Sequence, residues 1–224
     1  MLMDAAAAAF QHMFTPPFRR VLIKTLGLTI LLLVLAFAGL HKLLAVWLVL
    51  PYAWLNSALS LVAGLGLVIG LAFAIPPVSF LVAGLFFDEL AEAVEQDIGP
   101  EAAGGKAPRL VDAIWLAVKF AAVAVVVNIV ALLLLLVPGL NAVAFFGANA
   151  YLLGRGYFEF AALRYRGLAD VRLLQRRFTL QITLAGLLIA ALAAIPVVNL
   201  LTPLFGTALM VRVHNALVRG RAVL

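Results

Sequence analysis

Residues 178–211 read FTLQITLAGLLIAALAAIPVVNLLTPLFGTALMV, with no charged side chain until Arg212. As one straight helix this run would be about 51 Å long at 1.5 Å per residue, against a hydrocarbon core about 30 Å thick. Pro196 removes a backbone donor and ends or kinks a helix. Beyond the second proline, Pro203, the limb has only the eight uncharged residues 204–211 before Arg212, and a crossing needs about 20. The run therefore predicts a re-entrant helical hairpin that enters the bilayer and returns. Such a break is tolerated where the backbone is buried in protein or lines a water-filled cavity.

Three other uncharged blocks precede it, at residues 25–40, 43–87 and 113–154, the last carrying Lys119 near its start. Together they account for a chain of 224 residues that is 66% apolar, 12% charged and has a mean hydropathy of +1.17. Soluble domains are about 25% charged, so the composition predicts an integral membrane protein. One membrane domain, residues 1–224, suits the length. Within it we expect an interfacial N-terminal segment (1–20) and two long transmembrane helices (21–50 and 52–97, kinked at Pro76-Pro77). An acidic loop (98–112) and a hairpin broken at Pro138-Gly139 (113–154) follow, then a basic surface segment (155–177) and the hairpin 178–218. The class is all-α, two long transmembrane helices plus two partly penetrating hairpins. Val137-Pro138-Gly139-Leu140-Asn141 and Ile195-Pro196-Val197-Val198-Asn199 share a pattern that hints at a weak repeat of the hairpin.

Charge is distributed unevenly. Residues 88–112 hold seven of the ten acids, with Asp88, Glu89, Glu92 and Glu95 expected to project into water. Residues 155–177 hold six arginines against Glu159 and Asp170. The positive-inside rule puts the N-terminal segment with Arg19, Arg20 and Lys24, the arginine-rich segment and the C-terminal tail in the cytoplasm. The absence of cysteine excludes disulfides, thiolate metal sites and a cysteine nucleophile. His12, His41 and His214 are far apart with no carboxylate at ligand spacing, so no metal or other cofactor is expected. No G-x-S-x-G occurs, and Ser57, Ser60 and Ser79 all lie in apolar sequence, so no enzyme is expected. The net charge of +6 points to lipid headgroups, cytoplasmic loops or an anionic substrate, not to nucleic acid. The N-terminal run ending Ala36-Phe37-Ala38 imitates a signal peptide, but cleavage there would destroy a helix. Gly66 and Gly70, in G-x-x-x-G spacing, read as a helix-packing site.

Pro16-Pro17-Phe18-Arg19-Arg20 stands where a long helix begins. Helix-start N–H groups, the positive dipole end and two forked guanidiniums suit an oxyanion; snorkelling, positive-inside anchors are the plainer reading of the same arginines. Asn141 and Asn199, each three residues after a proline at a hairpin tip, either cap the turn or line a path. Glu159 reads as the structural partner of Arg155.

Four local patterns resemble the CysZ family of bacterial sulfate-uptake membrane proteins. They are Phe18-Arg19-Arg20 before the first long helix, the helix end at residues 80–95, Val137-Pro138-Gly139 leading to Tyr157-Phe158-Glu159-Phe160, and Arg176-Arg177-Phe178 followed by Ala194-Ile195-Pro196-Val197-Val198-Asn199-Leu200. The resemblance implies an oligomer of two long helices and two partial hairpins in the bacterial inner membrane. It also implies sulfate passage to the cytoplasm for cysteine synthesis without an ATPase domain. The family binds its anion at a Gly-aliphatic-Arg motif ahead of the first long helix, and Arg19 and Arg20, with Phe18, occupy that place here. Pro17-Phe18 stands where the glycine and aliphatic residue are expected. The expected function is an inorganic anion (sulfate) permease or channel acting as a homo-oligomer, with sulfate or a related oxyanion and the lipid bilayer as partners. The alternative is a membrane scaffold or lipid-interacting protein whose basic segment holds anionic headgroups.

Overall fold

A computed structural model describes residues 2–47, 57, 59–68, 78, 81–82, 84–100, 102, 104–107, 111, 114–116, 118–119, 122–123, 126, 140–195 and 198–220. The expected breaks at Pro76-Pro77 and Pro138-Gly139, and Pro196 itself, lie outside these residues. The main elements are α1 (Leu2–His12), α2 (Pro16–Trp47), α3 (Phe87–Ile98), α4 (Leu140–Leu163), α5 (Leu168–Arg177), α6 (Thr179–Ala193), a 3₁₀ turn (Val198–Leu201) and α7 (Thr202–Val218). Among the described residues there is no strand.

α7 is the centre of the fold. It packs against α1, α3, α4 and α6, and Leu204, Ala208, Leu209 and Met210 are fully buried. A helix apolar on every face must be covered on every face, and here protein does the covering. The limb runs on through Arg212 to Val218. It can, because Arg212 is paired with Asp97 from α3. α6 and α7 pack on each other across the short 3₁₀ turn, and at 1.5 Å per residue they are about 22 Å and about 25 Å long.

The tightest packing joins α4 to α6. A Cβ built on Gly186 would lie 1.9 Å from the Ala150 carbonyl oxygen, and one on Gly154 would lie 2.4 Å from the Ile182 carbonyl oxygen. Only glycine lets two backbones approach so closely. By contrast Gly66, expected to pack a helix, has nothing within 4 Å of its Cβ position; Gly70 lies outside the described residues.

α2 begins at Pro16, whose fixed φ suits a first helical position. Phe18, Val21, Thr25 and Thr29 form its buried stripe, spaced at three and four residues as one helix face requires. Its remaining faces are open: Ile23, Ile30, Leu31, Val34 and Leu35 are all more than half exposed. Pro16–Leu43 is long and apolar enough to cross a bilayer. α5 and α6 meet at 89° at Phe178 and count as a second candidate only if the bent pair is one span.

The basic segment is divided. α4 runs past Gly154 to Leu163, so Arg155 and Glu159 lie on a long helix, and Arg172, Arg176 and Arg177 lie on α5. The acidic end of the second apolar stretch is likewise a separate helix, α3, set off by a non-helical Phe86. Glu95 on α3 is buried rather than projecting into water, because Leu90, Ala91 and Val94 turn the same face into the core.

Candidate functional site

Phe18 and the two arginines after it point in different directions. Phe18 is fully buried, its ring edge-on to His12 at 5.8 Å. His12 Nε2 lies 3.0 Å from Asp97 Oδ2, and the same carboxylate pairs with Arg212. This places a carboxylate beside a histidine that has none near it in sequence. The contacts of Asp97 hold its carboxyl below the usual aspartate range, first through the hydrogen bond from Arg212. The start of α2 is thus pinned to α1, α3 and α7. From that anchor Arg19 and Arg20 extend into the open.

The backbone contributes little to an anion there. Pro16 and Pro17 have no N–H, and the Arg19 N–H is bonded to the Thr15 carbonyl at 3.0 Å. What this point has to offer an oxyanion is the two guanidiniums, whose forked donors match tetrahedral oxyanions.

Asn199 sits in the 3₁₀ turn between α6 and α7. Its N–H donates to the Ile195 carbonyl at 2.9 Å and its Oδ1 accepts from Thr202 Oγ1 at 3.3 Å. It therefore braces the turn. The side chain of Asn141 lies outside the described residues.

Sequence reading missed the most buried charges of the protein. Arg164, at the end of α4, is 6% exposed. Its Nε donates to Glu95 Oε1 at 2.9 Å and its Nη2 to Glu95 Oε2 at 3.2 Å, while Nη1 bonds Asp88. Burial raises the Asp88 carboxyl above its usual range, against the pull of Arg164. The Arg164 carbonyl accepts from the Lys106 N–H at 2.9 Å, and the Tyr165 hydroxyl donates to the Ala102 carbonyl at 2.8 Å. These bonds tie the loop after α3 to the end of α4. Asp88 and Glu95, seven residues apart, lie two turns apart on one helical face, and that spacing was the available signal. Their partner, far along the chain, left none.

Glu159 was expected to pair with Arg155. It lies instead 3.8 Å from Lys119, and Arg155 bonds Tyr151 and Gln175. Among the described residues no three His, Cys, Asp or Glu side chains are grouped to hold a metal.

A family profile described as sulfate transporter CysZ/etoposide-induced protein 2.4 matches residues 5–203. The chain belongs to this family. Phe18, Arg19, Arg20, Glu95, Arg164 and Asn199 all fall inside the match. The curated proteins contain no match to the chain. Membership in the CysZ/etoposide-induced 2.4 family makes this a membrane protein of a sulfate-transport family, and the apolar, outward-facing surface of α2 is what such a protein presents to lipid.

Proposed function

We propose that this CysZ-family protein passes sulfate, or a closely related oxyanion, across the bacterial inner membrane into the cytoplasm for cysteine synthesis. It acts as a channel-like homo-oligomer with several passes through the membrane and is not an enzyme. The observation that carries the reading is the placement of Arg19 and Arg20. Both are exposed at the start of α2, the one helix among the described residues long and apolar enough by itself to cross a bilayer, on a turn held in place by buried Phe18. Two adjacent guanidiniums raise the local concentration of a dianion at the membrane surface. Phe18 serves as their anchor, and no aliphatic residue or glycine is needed for the charge to be presented.

Passage beyond that point needs weak polar groups that replace hydration without trapping the ion. The amides of Asn141 and Asn199, at the two hairpin tips, are the groups assigned to that role. α2 and the apolar stretch that precedes α3 serve as the spanning helices of a single membrane domain, and the hairpin that begins at residue 113 and the hairpin 178–218 enter it partway. The lengths of α6 and α7, about 22 Å and about 25 Å, support partial entry into a core about 30 Å thick.

Expression in a bacterium lacking its own sulfate uptake tests the reading. Growth on low sulfate should be restored, and the dependence should vanish when cysteine is supplied. No rescue despite protein in the inner membrane contradicts it.

A further inference from the structure

A cavity of about 480 Å³ opens beside α4 and α5, with Lys119, Arg155, Glu159, Arg172 and Arg176 on its polar wall. Four cations there face one carboxylate. Elsewhere the chain neutralises its inward-facing arginines: Arg164 has Glu95 and Asp88, and Arg212 has Asp97. Arg172 and Arg176 form no ion pair among the described residues, although they stand four residues apart on α5, where like charges repel. Arg155 is already aimed. Its Nη2 donates to Gln175 Oε1 at 3.0 Å, and Gln175 Nε2 donates back to the Arg155 carbonyl at 3.0 Å. Gln175 is 4% exposed, so this clamp is rigid and leaves three of the five Arg155 donors for a ligand.

The rest of the lining is apolar, with Leu116, Val123, Leu152 and Phe160. A free inorganic ion has no use for that surface; an ion carried on an acyl glycerol does. The position along the chain agrees, because the uncharged block ends at Gly154 and Arg155 follows. Tyr151, 45% exposed beside Arg155, is the kind of aromatic residue that lies at headgroup depth.

From the basic wall, the apolar floor and this depth, we infer that the cavity beside α4 and α5 binds the phosphodiester headgroup of an anionic phospholipid. The site is separate from Arg19 and Arg20 and holds whether or not the protein conducts sulfate.

The test uses the full chain purified in non-ionic detergent, with lipid retention read by native mass spectrometry. Phosphatidylglycerol, phosphatidylcholine, sodium sulfate and sodium phosphate are titrated separately and in competition. Phosphatidylglycerol should bind in preference to phosphatidylcholine. The double variant Arg172→Gln, Arg176→Gln should weaken it by about 30-fold, as expected for two basic side chains at a headgroup surface. Both positions are exposed, so the fold should survive, and Arg172→Lys, Arg176→Lys should restore most of the binding. Equal binding of the two lipids, or unchanged binding in the glutamine variant, overturns the proposal. Displacement of the lipid by millimolar sulfate or phosphate also overturns it and assigns the cavity to the free ion.

Discussion

Gly186 of α6 lies so close to Gly154 of α4 that a methyl group on Gly186 would sit 2.6 Å from the Gly154 amide nitrogen and 1.9 Å from the Ala150 carbonyl oxygen. Backbone cannot move aside as a flexible side chain can. Gly186→Ala should therefore cost at least about 2 kcal/mol through overpacking, seen as a lower thermal midpoint in detergent. Gly147→Ala, on the same α4 but with nothing within 4 Å, should be neutral or stabilising by up to about 1 kcal/mol, from helix propensity. Equal effects of the two substitutions would contradict the close crossing.

Arg164 and Glu95 are both buried and doubly hydrogen-bonded. Removing one member of such a pair costs about 3–5 kcal/mol because the other is left uncompensated. Glu95→Gln should fall at the low end, since Asp88 still faces Arg164. Arg164→Met should cost more, because it strands two carboxylates instead of one cation. Denaturant or thermal unfolding of the two variants checks the order, and the reverse order counts against the network.

His214, past the uncharged block on α7, is stacked on Tyr165 at 5.1 Å and edge-on to Phe158 at 5.7 Å, and among the described residues neither ring nitrogen is hydrogen-bonded. Burial lowers its pKa to about 4, against about 6.5 in an unfolded chain. On acidification the unfolded state takes the proton first. The stability tied to neutral His214 is complete above pH about 6.5 and is lost as pH falls towards about 4, by about 3 kcal/mol in all. His214→Phe keeps the stacking and should flatten that loss, with stability at pH 7 unchanged or slightly higher because two unpaired buried polar atoms are gone. A pH series of thermal midpoints that drops as steeply in the variant as in the parent would contradict this. The lowered carboxyl of Asp97 acts further into acid, so its contribution is separable.

Local features of the fold were legible in sequence, and contacts between distant residues were not. α6 ends at Ala193, shortly before the proline at position 196, as expected because proline acts on its own neighbours. That Arg212 is accommodated inside α7 depends on Asp97, 115 residues away, which nothing near Arg212 in sequence announces. Glu95 looks solvated for the same reason, since its partner Arg164 is 69 residues distant. Ala150-x-x-x-Gly154 does carry the small-residue spacing of a tight helix crossing, but nothing local identifies Gly186 as its partner. The exposed pair Arg19-Arg20 was readable as a candidate site from its place before the first apolar block. That Phe18 faces inward to His12 required the third dimension.

In the function we propose, this CysZ-family chain conducts sulfate and Arg19 and Arg20 gather it. Radiolabelled sulfate flux into proteoliposomes tests both halves in one measurement. The parent protein should carry sulfate well above empty vesicles, and the Arg19→Ala, Arg20→Ala double variant, incorporated to the same level, should lose at least about tenfold at low sulfate, as expected when two charged hydrogen-bonding partners are removed. Flux no greater than that of empty vesicles would contradict the transport reading, and undiminished flux in the double variant would contradict the site.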